Sequence, residues 1–430
     1  MNNFTYYVPT KVYFGKGQIS HLVELKESGS KVLLVYGGGS IKKLGLYNTV
    51  MALLRKIGLK IYELPGIEPN PRIESVRKGV QLCKENKIDM VLAVGGGSVI
   101  DAAKVIAGGA VYGGDPWSLV IHPQYILKAL PLYTVLTLSA TGSEMNGNAV
   151  ISDLKAHEKW GTYSPFFKPK MSICDPEYTY SVSARQTASG TADIMSHTFE
   201  NYFTTVPGGF LQEKFCESVL MTCIKYGPAA LEDPKDYEAR AALMWASSNA
   251  INGLLNAGTG VAWCVHPMEH ELSAFYDITH GEGLAILTPH WMRFALNENT
   301  VEKFANYGRS VWGIFGGDDY EVANAAIDRT AEFFTRELHI PGSLREVGIE
   351  NDKYFKEMAA KAAAGSKGSF VPLTAEDVEG IFRAALLRSN CICRSNPACE
   401  VRARDPVQTV QVKIRSNRIK NSRASDAQCH

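Results

Sequence analysis

Short apolar runs alternate with amphipathic stretches along the first 180 residues of the chain. The apolar runs end in Gly, Ser or Pro, which is typical of buried strands: KVLLVYGGGS, KIYELPG, DMVLAVGGGS and LYTVLTLSATGS. The stretches between them space their apolar residues three or four apart, as helices do: LYNTVMALLRKIG, RIESVRKGVQLCKEN and VIDAAKVIAGGAV. Strands and helices in alternation predict a mostly parallel sheet that is covered on both faces.

The pattern changes near residue 180, after which strand signals nearly vanish. Residues 186–260 and 300–387 have helical periodicity, for example EVANAAIDRTAEFFTREL. The sequence therefore predicts an α/β domain at residues 1–180 and a helical domain at residues 181–387. A cleft between two such domains is a common place for a ligand.

The segment 388–430 differs from the rest of the chain. It holds nine Lys or Arg residues against three acids, together with four of the nine cysteines, and it has little periodicity. Cys391, Cys393 and Cys399 match no zinc-site spacing that we can justify. We expect this basic, Cys-rich tail to be disordered or non-native, and we assign it no function.

Composition favours an ordinary globular protein. The net charge is +1, which gives no reason to expect nucleic acid or a charged membrane as a partner. No stretch of about 18 apolar residues occurs, so a membrane-spanning helix is not expected. The N-terminus has no basic-then-apolar signal pattern, and no cysteine pair before residue 388 has CxxC or zinc-ribbon spacing. We expect a cytoplasmic protein.

Two glycine-rich segments each join a predicted strand to a predicted helix. In VLAVGGGSVIDAAK, Ser98 is predicted as the N-cap of the helix and Asp101 as its capping-box partner. The three glycines before Ser98 let the backbone approach a ligand, and the helix N-terminus favours a pyrophosphate. A tight structural turn would need the same glycines, so both interpretations stay open.

The earlier glycine-rich segment, LLVYGGGSIKKLG, bears on the choice of nucleotide. Enzymes that prefer NAD usually place an acid at the end of this strand, where it holds the ribose hydroxyls. Here residues 37–40 are Gly-Gly-Gly-Ser, and Lys42 and Lys43 follow. Open N–H groups, a hydroxyl and cations suit a 2′-phosphate better, so the sequence predicts NADP(H), with NAD(H) still possible. The two lysines could equally begin an ordinary solvated helix.

Carboxylate and imidazole side chains are concentrated in two helical segments. Asp193 and His197 lie four residues apart in GTADIMSHTFENYF, about 6 Å from each other on one helix face. His266 and His270 repeat this spacing in CVHPMEHELSAFYDITHGEG. His280 would lie about 21 Å from His266 in a straight helix, so the chain must turn near FYDITHG if both bind one metal.

One carboxylate and two or three imidazoles suit Fe(II), Zn(II), Mn(II) or Co(II), and no thiolate is needed. A metal with an open position polarises a carbonyl or favours a bound alkoxide. Beside a nicotinamide, the natural reaction is hydride transfer between an alcohol carbon and the ring.

Four motifs together resemble the iron-containing (group III) alcohol dehydrogenase family: GGGSVIDAAK, LSATGSEMN, GTADIMSHTFE and HPMEHELSAFYDITHGEGLAIL. The resemblance extends from FTYYVPTKVYFGKG to about residue 387, and it is strongest to the clostridial-type butanol dehydrogenases and NADPH-dependent aldehyde reductases. It implies an α/β Rossmann-like nucleotide-binding domain followed by an all-α metal-binding domain, which is the dehydroquinate synthase-like two-domain fold.

The resemblance also implies the residues of the site. It makes Asp193, His197, His266 and His280 the ligands of one divalent metal, Fe(II) or Zn(II). It leaves His270 near the substrate, where we expect it to help move the hydroxyl proton, although a supporting structural role stays open. The implied cofactor contacts are Gly37, Gly38 and Ser40 at the adenosine end, Gly96, Gly97 and Ser98 at the pyrophosphate with Asp101 following in the same motif, Thr137, Thr141 and Asn146 along the nicotinamide side, Lys159 at a ribose, and Tyr178.

The resulting hypothesis is a cytoplasmic homodimer that reduces a primary aldehyde such as butanal with NADPH, or oxidises the alcohol. Glycerol dehydrogenases and dehydroquinate synthases share the fold plan, but their metal motifs differ from those here. A metal-dependent hydrolase would leave both glycine-rich segments without a purpose. A non-catalytic assembly protein would not need a complete set of metal ligands.

Overall fold

The computed structural model of the chain describes residues 1–366 and 368–387, which hold eight strands. The strands are β1 (Lys11–Phe14), β2 (Lys31–Tyr36), β3 (Lys60–Leu64), β4 (Met90–Gly95), β5 (Leu132–Leu136), β6 (Asn148–Asp153), β7 (Glu158–Tyr163) and β8 (Met171–Cys174). The tail prediction for residues 388–430 lies outside the described residues.

Six of these strands form one sheet in the order β1-β8-β5-β4-β2-β3, and every neighbouring pair is parallel. The four predicted strands, β2 to β5, are confirmed as its centre and one edge. The sequence pattern missed β1 and β8, which have four residues each and are too short to show a period. It also missed the antiparallel hairpin of β6 and β7.

The described helices alternate with the strands at first and then follow one another. They are α1 (Ser40–Lys43), α2 (Leu46–Lys56), α3 (Ile73–Asn86), α4 (Gly97–Ala110), α5 (Trp117–Ile121), α6 (Ala184–Tyr202), α7 (Phe210–Glu232), α8 (Tyr237–Ala250), α9 (Val265–Tyr276), α10 (His280–Ala295), α11 (Val301–Trp312), α12 (Asp319–Glu332), α13 (Phe355–Gly365) and α14 (Ala375–Leu386). The three helices predicted between the strands are confirmed as α2, α3 and α4. No helix in the described ranges has the length and apolar character needed to cross a bilayer.

The central strands are buried on both faces, which explains their continuous apolar runs. On β4, Val91 and Ala93 pack into the core that contains α3 and α4 side chains. Leu92 and Val94 point the other way, into the core that contains α2 side chains. The prediction of a parallel sheet covered on both faces is therefore confirmed.

The second half of the chain is helical. Between β8 and residue 387 the described residues form helices and connections without a strand, and their buried side chains form one core that includes Phe199, Phe203, Trp291 and Phe304. The two-domain plan of a parallel α/β domain and a helical domain is confirmed. Its exact division between residues 180 and 181 stays a prediction, because the described residues form one compact unit.

Candidate metal and cofactor site

Helix α6 carries the first pair of predicted ligands. Ser183 accepts a hydrogen bond from the backbone N–H of Gln186 and so caps the helix. From Thr187 onward every residue of α6 is buried, which places Asp193 and His197 inside the protein. The Nδ1 atom of His197 lies 3.4 Å from Oδ1 of Asp193.

The other two predicted ligands come from α9 and α10, and a sharp turn brings them together. Helix α9 ends at Tyr276, Asp277 has a left-handed backbone with φ of 51°, and α10 begins at His280. The turn expected near FYDITHG is therefore confirmed. The rings of His266 and His280 have centroids 5.3 Å apart, and the Nε2 atom of each lies 3.7 Å from Oδ1 of Asp193.

Three buried polar atoms at this point have no hydrogen-bond partner among the described residues: Oδ1 of Asp193, Nδ1 of His197 and Nε2 of His266. Such atoms are costly unless something compensates them. Two ligands of a tetrahedral metal with bonds of about 2.1 Å lie about 3.4 Å from each other, close to the separations seen here. Donor atoms of Asp193, His266 and His280 all lie within 4.8 Å of one another. The residues fit a divalent cation.

Asp193 and His197 have the protonation states that suit a cation. Burial opposes ionisation of Asp193, but the imidazoles of His197, His280 and His266 outweigh it and hold the pKa of Asp193 below its ordinary value. Burial lowers the pKa of His197 to about 4. A carboxylate anion and a neutral imidazole are the forms that bind metal. At His266 the carboxylates of Glu200 and Asp193 outweigh burial and raise the pKa to about 10, so a cation must displace a proton from that ring.

Two buried glutamates, which the sequence analysis did not single out, hold two of these histidines. Glu200 of α6 is 1% exposed. Its Oε2 pairs with Nδ1 of His266, and its Oε1 accepts hydrogen bonds from the backbone N–H groups of Cys264, Val265 and His266 at 2.9, 2.7 and 3.0 Å. This carboxylate therefore fixes both the start of α9 and the ring of His266.

Glu269 of α9 is fully buried, and its carboxylate holds the ring of His280 as Glu200 holds that of His266. Its Oε2 pairs with Nδ1 of His280 and also accepts from Nζ of Lys159 at 3.2 Å, while its Oε1 accepts from the Ser273 hydroxyl. The sequence does contain a signal for these two glutamates, because each follows a predicted ligand in a His-x-x-Glu motif, HTFE and HPME.

Lys159 and His270 lie beside this cluster. The Nζ atom of Lys159 donates to Oδ1 of Asn70 at 3.1 Å and lies 3.3 Å from Nδ1 of His280, so the lysine expected at a cofactor ribose is next to a predicted metal ligand. The ring of His270 lies 5.7 Å from that of His280. Burial lowers the pKa of His270 well below its ordinary value, and the charge of Lys159 adds to this effect.

The glycine-rich segment before α4 corrects one prediction. Helix α4 begins at Gly97 with Gly96 as its N-cap, and no side chain caps it. The capping box predicted for Ser98 and Asp101 is therefore wrong, because the helix starts two residues earlier than expected. A Cβ atom on Gly97 would overlap the side chain of Thr141, so only glycine allows this close approach.

Asp101 faces the protein interior. Its two carboxylate oxygens accept from the Ser143 hydroxyl and from the backbone N–H of Val150. The fully buried Lys104 donates to Ser143 at 2.7 Å, to Oδ1 of Asn146 at 3.0 Å and to the Asn148 carbonyl at 2.6 Å. This network holds the 141–148 segment against α4. Cofactor contact by Asp101 and Asn146 stays a prediction.

The end of β2 leaves room for a ligand. A Cβ atom added to Gly38 would have no other atom within 4 Å, whereas a Cβ atom added to Gly37 would have neighbours within that distance. Ser40 begins α1, and Nζ of Lys42 lies 5.3 Å from the ring centroid of Tyr36. Of the other predicted cofactor residues, Thr137 is buried and donates its N–H to Gly95 of β4, and Tyr178 is partly buried against the sheet.

Known proteins match both halves of the chain. Residues 9–176 match the family described as iron-containing alcohol dehydrogenase, and residues 187–386 match the C-terminal part of the Fe-containing alcohol dehydrogenase family. NADH-dependent butanol dehydrogenase A from Clostridium acetobutylicum is 54% identical over 387 residues, which is 89% of this chain and 99% of that protein. NADPH-dependent aldehyde reductase YqhD from Escherichia coli is 40% identical over 81% of this chain and 90% of its own length.

Solved structures agree with the sequence matches. The crystal structure of NADH-dependent butanol dehydrogenase A from Thermotoga maritima has a TM-score of 0.85 and 38% sequence identity, and the match covers 90% of this chain and 99% of that one. The two family matches thus cover both domains, and the chain belongs to the iron-containing alcohol dehydrogenase family.

Proposed function

We propose that this protein is a metal-dependent aldehyde reductase and alcohol dehydrogenase that prefers NADPH and a primary aldehyde such as butanal. Membership of the family makes the chain an NAD(P)-dependent alcohol dehydrogenase or aldehyde reductase. The substrate, the preferred nucleotide and the residue roles below are the proposal.

The observation that carries the proposal is the group of unpaired buried atoms on Asp193, His197 and His266, with His280 beside them. These four residues would hold Fe(II) or Zn(II), since either metal accepts one carboxylate and three imidazoles. When bound, the metal polarises the substrate oxygen and the reduced nicotinamide supplies the hydride.

The chain's own residues would orient the reactants and move the proton. His270 is neutral because burial lowers its pKa, so its imidazole can accept the hydroxyl proton during alcohol oxidation and pass it to solvent. Lys159 lies beside His280 and would meet the ribose of the nucleotide at that end. Gly96, Gly97 and Ser98 at the start of α4 would receive the pyrophosphate.

The preference for NADPH follows from residues 37–40, where an acid that could hold the ribose hydroxyls is missing. NADH is the second candidate, because the relatives from Clostridium acetobutylicum with 54% and 52% identity are named NADH-dependent butanol dehydrogenases. The ratio of kcat/KM for the two nucleotides decides between them, and a clear preference for NADH would reject this part of the proposal.

The test of the whole proposal uses protein stripped of metal and then reloaded with Fe(II) or Zn(II). NADPH oxidation with butanal should return only after reloading, and the metal that restores more activity identifies the better cofactor. Metal-free protein that turns over as fast as reloaded protein would contradict the proposal. A cytoplasmic homodimer is also proposed, and light scattering of the purified protein tests the dimer.

A further inference from the structure

The His-x-x-Glu motif occurs twice in the helical domain, as His197 and Glu200 on α6 and as His266 and Glu269 on α9. Residues three apart lie on the same face of a helix. Each motif therefore points a histidine and a carboxylate toward the same side of its helix, about one turn apart.

Neither glutamate hydrogen-bonds the histidine of its own motif. Glu200 of α6 pairs with His266 on α9, and Glu269 of α9 pairs with His280 on α10. Helix α6 thus supplies two predicted metal ligands and α9 supplies one, and each of these helices also supplies the carboxylate that holds a ligand on the next helix.

These contacts determine which ring nitrogen is free. An ionised carboxylate only accepts hydrogen bonds, so Nδ1 of His266 and Nδ1 of His280 must carry the protons. In the neutral form that binds metal, each ring then has its lone pair on Nε2, and both Nε2 atoms lie 3.7 Å from Oδ1 of Asp193. The two carboxylates orient the rings toward the point where the unpaired atoms meet.

We propose that Glu200 and Glu269 are positioning residues that fix the tautomers and ring orientations of His266 and His280 for metal binding. Carboxylates that hold the second nitrogen of a ligating histidine typically change metal affinity by about 10- to 100-fold. This inference rests on the proposed function, because it concerns the metal site of that function.

Both glutamates have other contacts, and the substitutions must separate these from the effect on the histidines. Glutamine at position 200 keeps one oxygen that can accept from the N–H groups at the start of α9. Its amide nitrogen would then face Nδ1 of His266 and, as a donor, would favour the wrong tautomer. The substitution Glu200→Gln therefore tests the orientation of the ring with little change in the helix start.

The experiment measures the dissociation constant for Zn(II) by competition with a chelator, together with the thermal midpoint of the metal-free protein. Glu200→Gln and Glu269→Gln should each weaken Zn(II) binding by about 10- to 100-fold. The matched control is Glu217→Gln, because Glu217 is a buried carboxylate that pairs with Lys214 on α7 and has no contact with a predicted ligand.

Equal Zn(II) affinities in wild type, both glutamate variants and the Glu217 control would overturn the inference while leaving the proposed function intact. Absence of Zn(II) and Fe(II) binding by the wild type would instead reject the proposed function and this inference with it. Nitrogen NMR of histidine in zinc-loaded wild type gives a second test that needs no variant. Two coordinated imidazoles should carry a proton on Nδ1, and coordination through Nδ1 of His266 or His280 would overturn the inference.

Discussion

The Nε2 atom of His280 lies 3.7 Å from Oδ1 of Asp193, because α10 packs against α6 at a glycine. That glycine is Gly281, the residue directly after His280. A Cβ atom there would overlap the backbone of Ser189, which lies one helical turn before Asp193. The short distance between the two candidate ligands thus depends on glycine at position 281, which has no Cβ atom.

Gly281→Ala should separate α10 from α6 and weaken metal binding. The new methyl group has backbone rather than a flexible side chain as its neighbour, so we expect a loss of about 1–3 kcal/mol in the free energy of unfolding. Urea unfolding of the metal-free protein and Zn(II) titration measure the two effects.

The matched control for this prediction is Gly380→Ala in α14, where no atom lies within 4 Å of the added Cβ. Alanine in a helix interior should raise stability there by about 0.5–1 kcal/mol. If both glycine substitutions change stability by the same amount, the close packing of α10 on α6 does not control the site.

Asp193→Ala should abolish metal binding and activity together, since it removes the one carboxylate among the four candidate ligands. Elemental analysis of the purified variant and the rate of NADPH oxidation are the measurements. The fold should survive, because the substitution also removes a buried atom that has no hydrogen-bond partner among the described residues. A variant that retains both metal and activity would reject the ligand assignment.

Gly38→Asp should reduce kcat/KM for NADPH and leave that for NADH nearly unchanged. The side chain has open space, and a carboxylate would repel a 2′-phosphate by about 2 kcal/mol, or about 30-fold. Gly113→Asp adds the same charge at another open, exposed position and should change neither value. An equal loss with both nucleotides would mean that residue 38 does not face the 2′ position.

The sequence predicted the sheet centre from local periodicity, whereas the full set of candidate ligands came from the family resemblance. The apolar runs of β2 to β5 are continuous because those strands are buried on both faces. The i, i+4 spacing of Asp193 and His197 follows directly from helix geometry. Choosing between His270 and His280 needed more than spacing, since the turn at Asp277 decides which rings approach Asp193.

Other parts of the site could not be predicted from local pattern. The His-x-x-Glu motif draws attention to Glu200 and Glu269, but only the packing of three helices shows which histidine each one holds. The capping box at Ser98 failed for a similar reason. Asp101 finds its partners in the 141–150 region, which is distant in sequence, and these contacts compete with a local cap.

Lys104→Met should destabilise the protein by about 3–5 kcal/mol, because it leaves the buried carboxylate of Asp101 without a neighbouring cation. The double variant Lys104→Met with Asp101→Asn should recover part of this loss, since it removes both charges together. Denaturant unfolding of the two single variants and the double variant gives the coupling energy. Strictly additive losses would show that the two side chains do not interact.

The ionisation of Glu271 should lower the free energy of unfolding as the pH rises toward neutrality. Burial raises its pKa to about 7, with nearby Glu158 and Glu357 adding to the rise and Lys361 opposing it. For an acid whose pKa is higher in the folded state, the stabilising contribution is complete below the unfolded pKa near 4.5 and is lost as pH rises through about 7.

Glu271→Gln should therefore unfold with nearly the same free energy as wild type at pH 4, below the unfolded pKa, and be more stable than wild type at pH 8. If the whole pKa shift contributes to stability, the free energies of unfolding of variant and wild type should differ at pH 8 by up to about 3 kcal/mol. Urea unfolding of metal-free wild type and variant, compared at each pH, cancels the titration of all other groups. A stability difference that stays constant from pH 4 to pH 8 would show that Glu271 ionises normally, and that water or a rearranged Lys361 reaches its carboxylate.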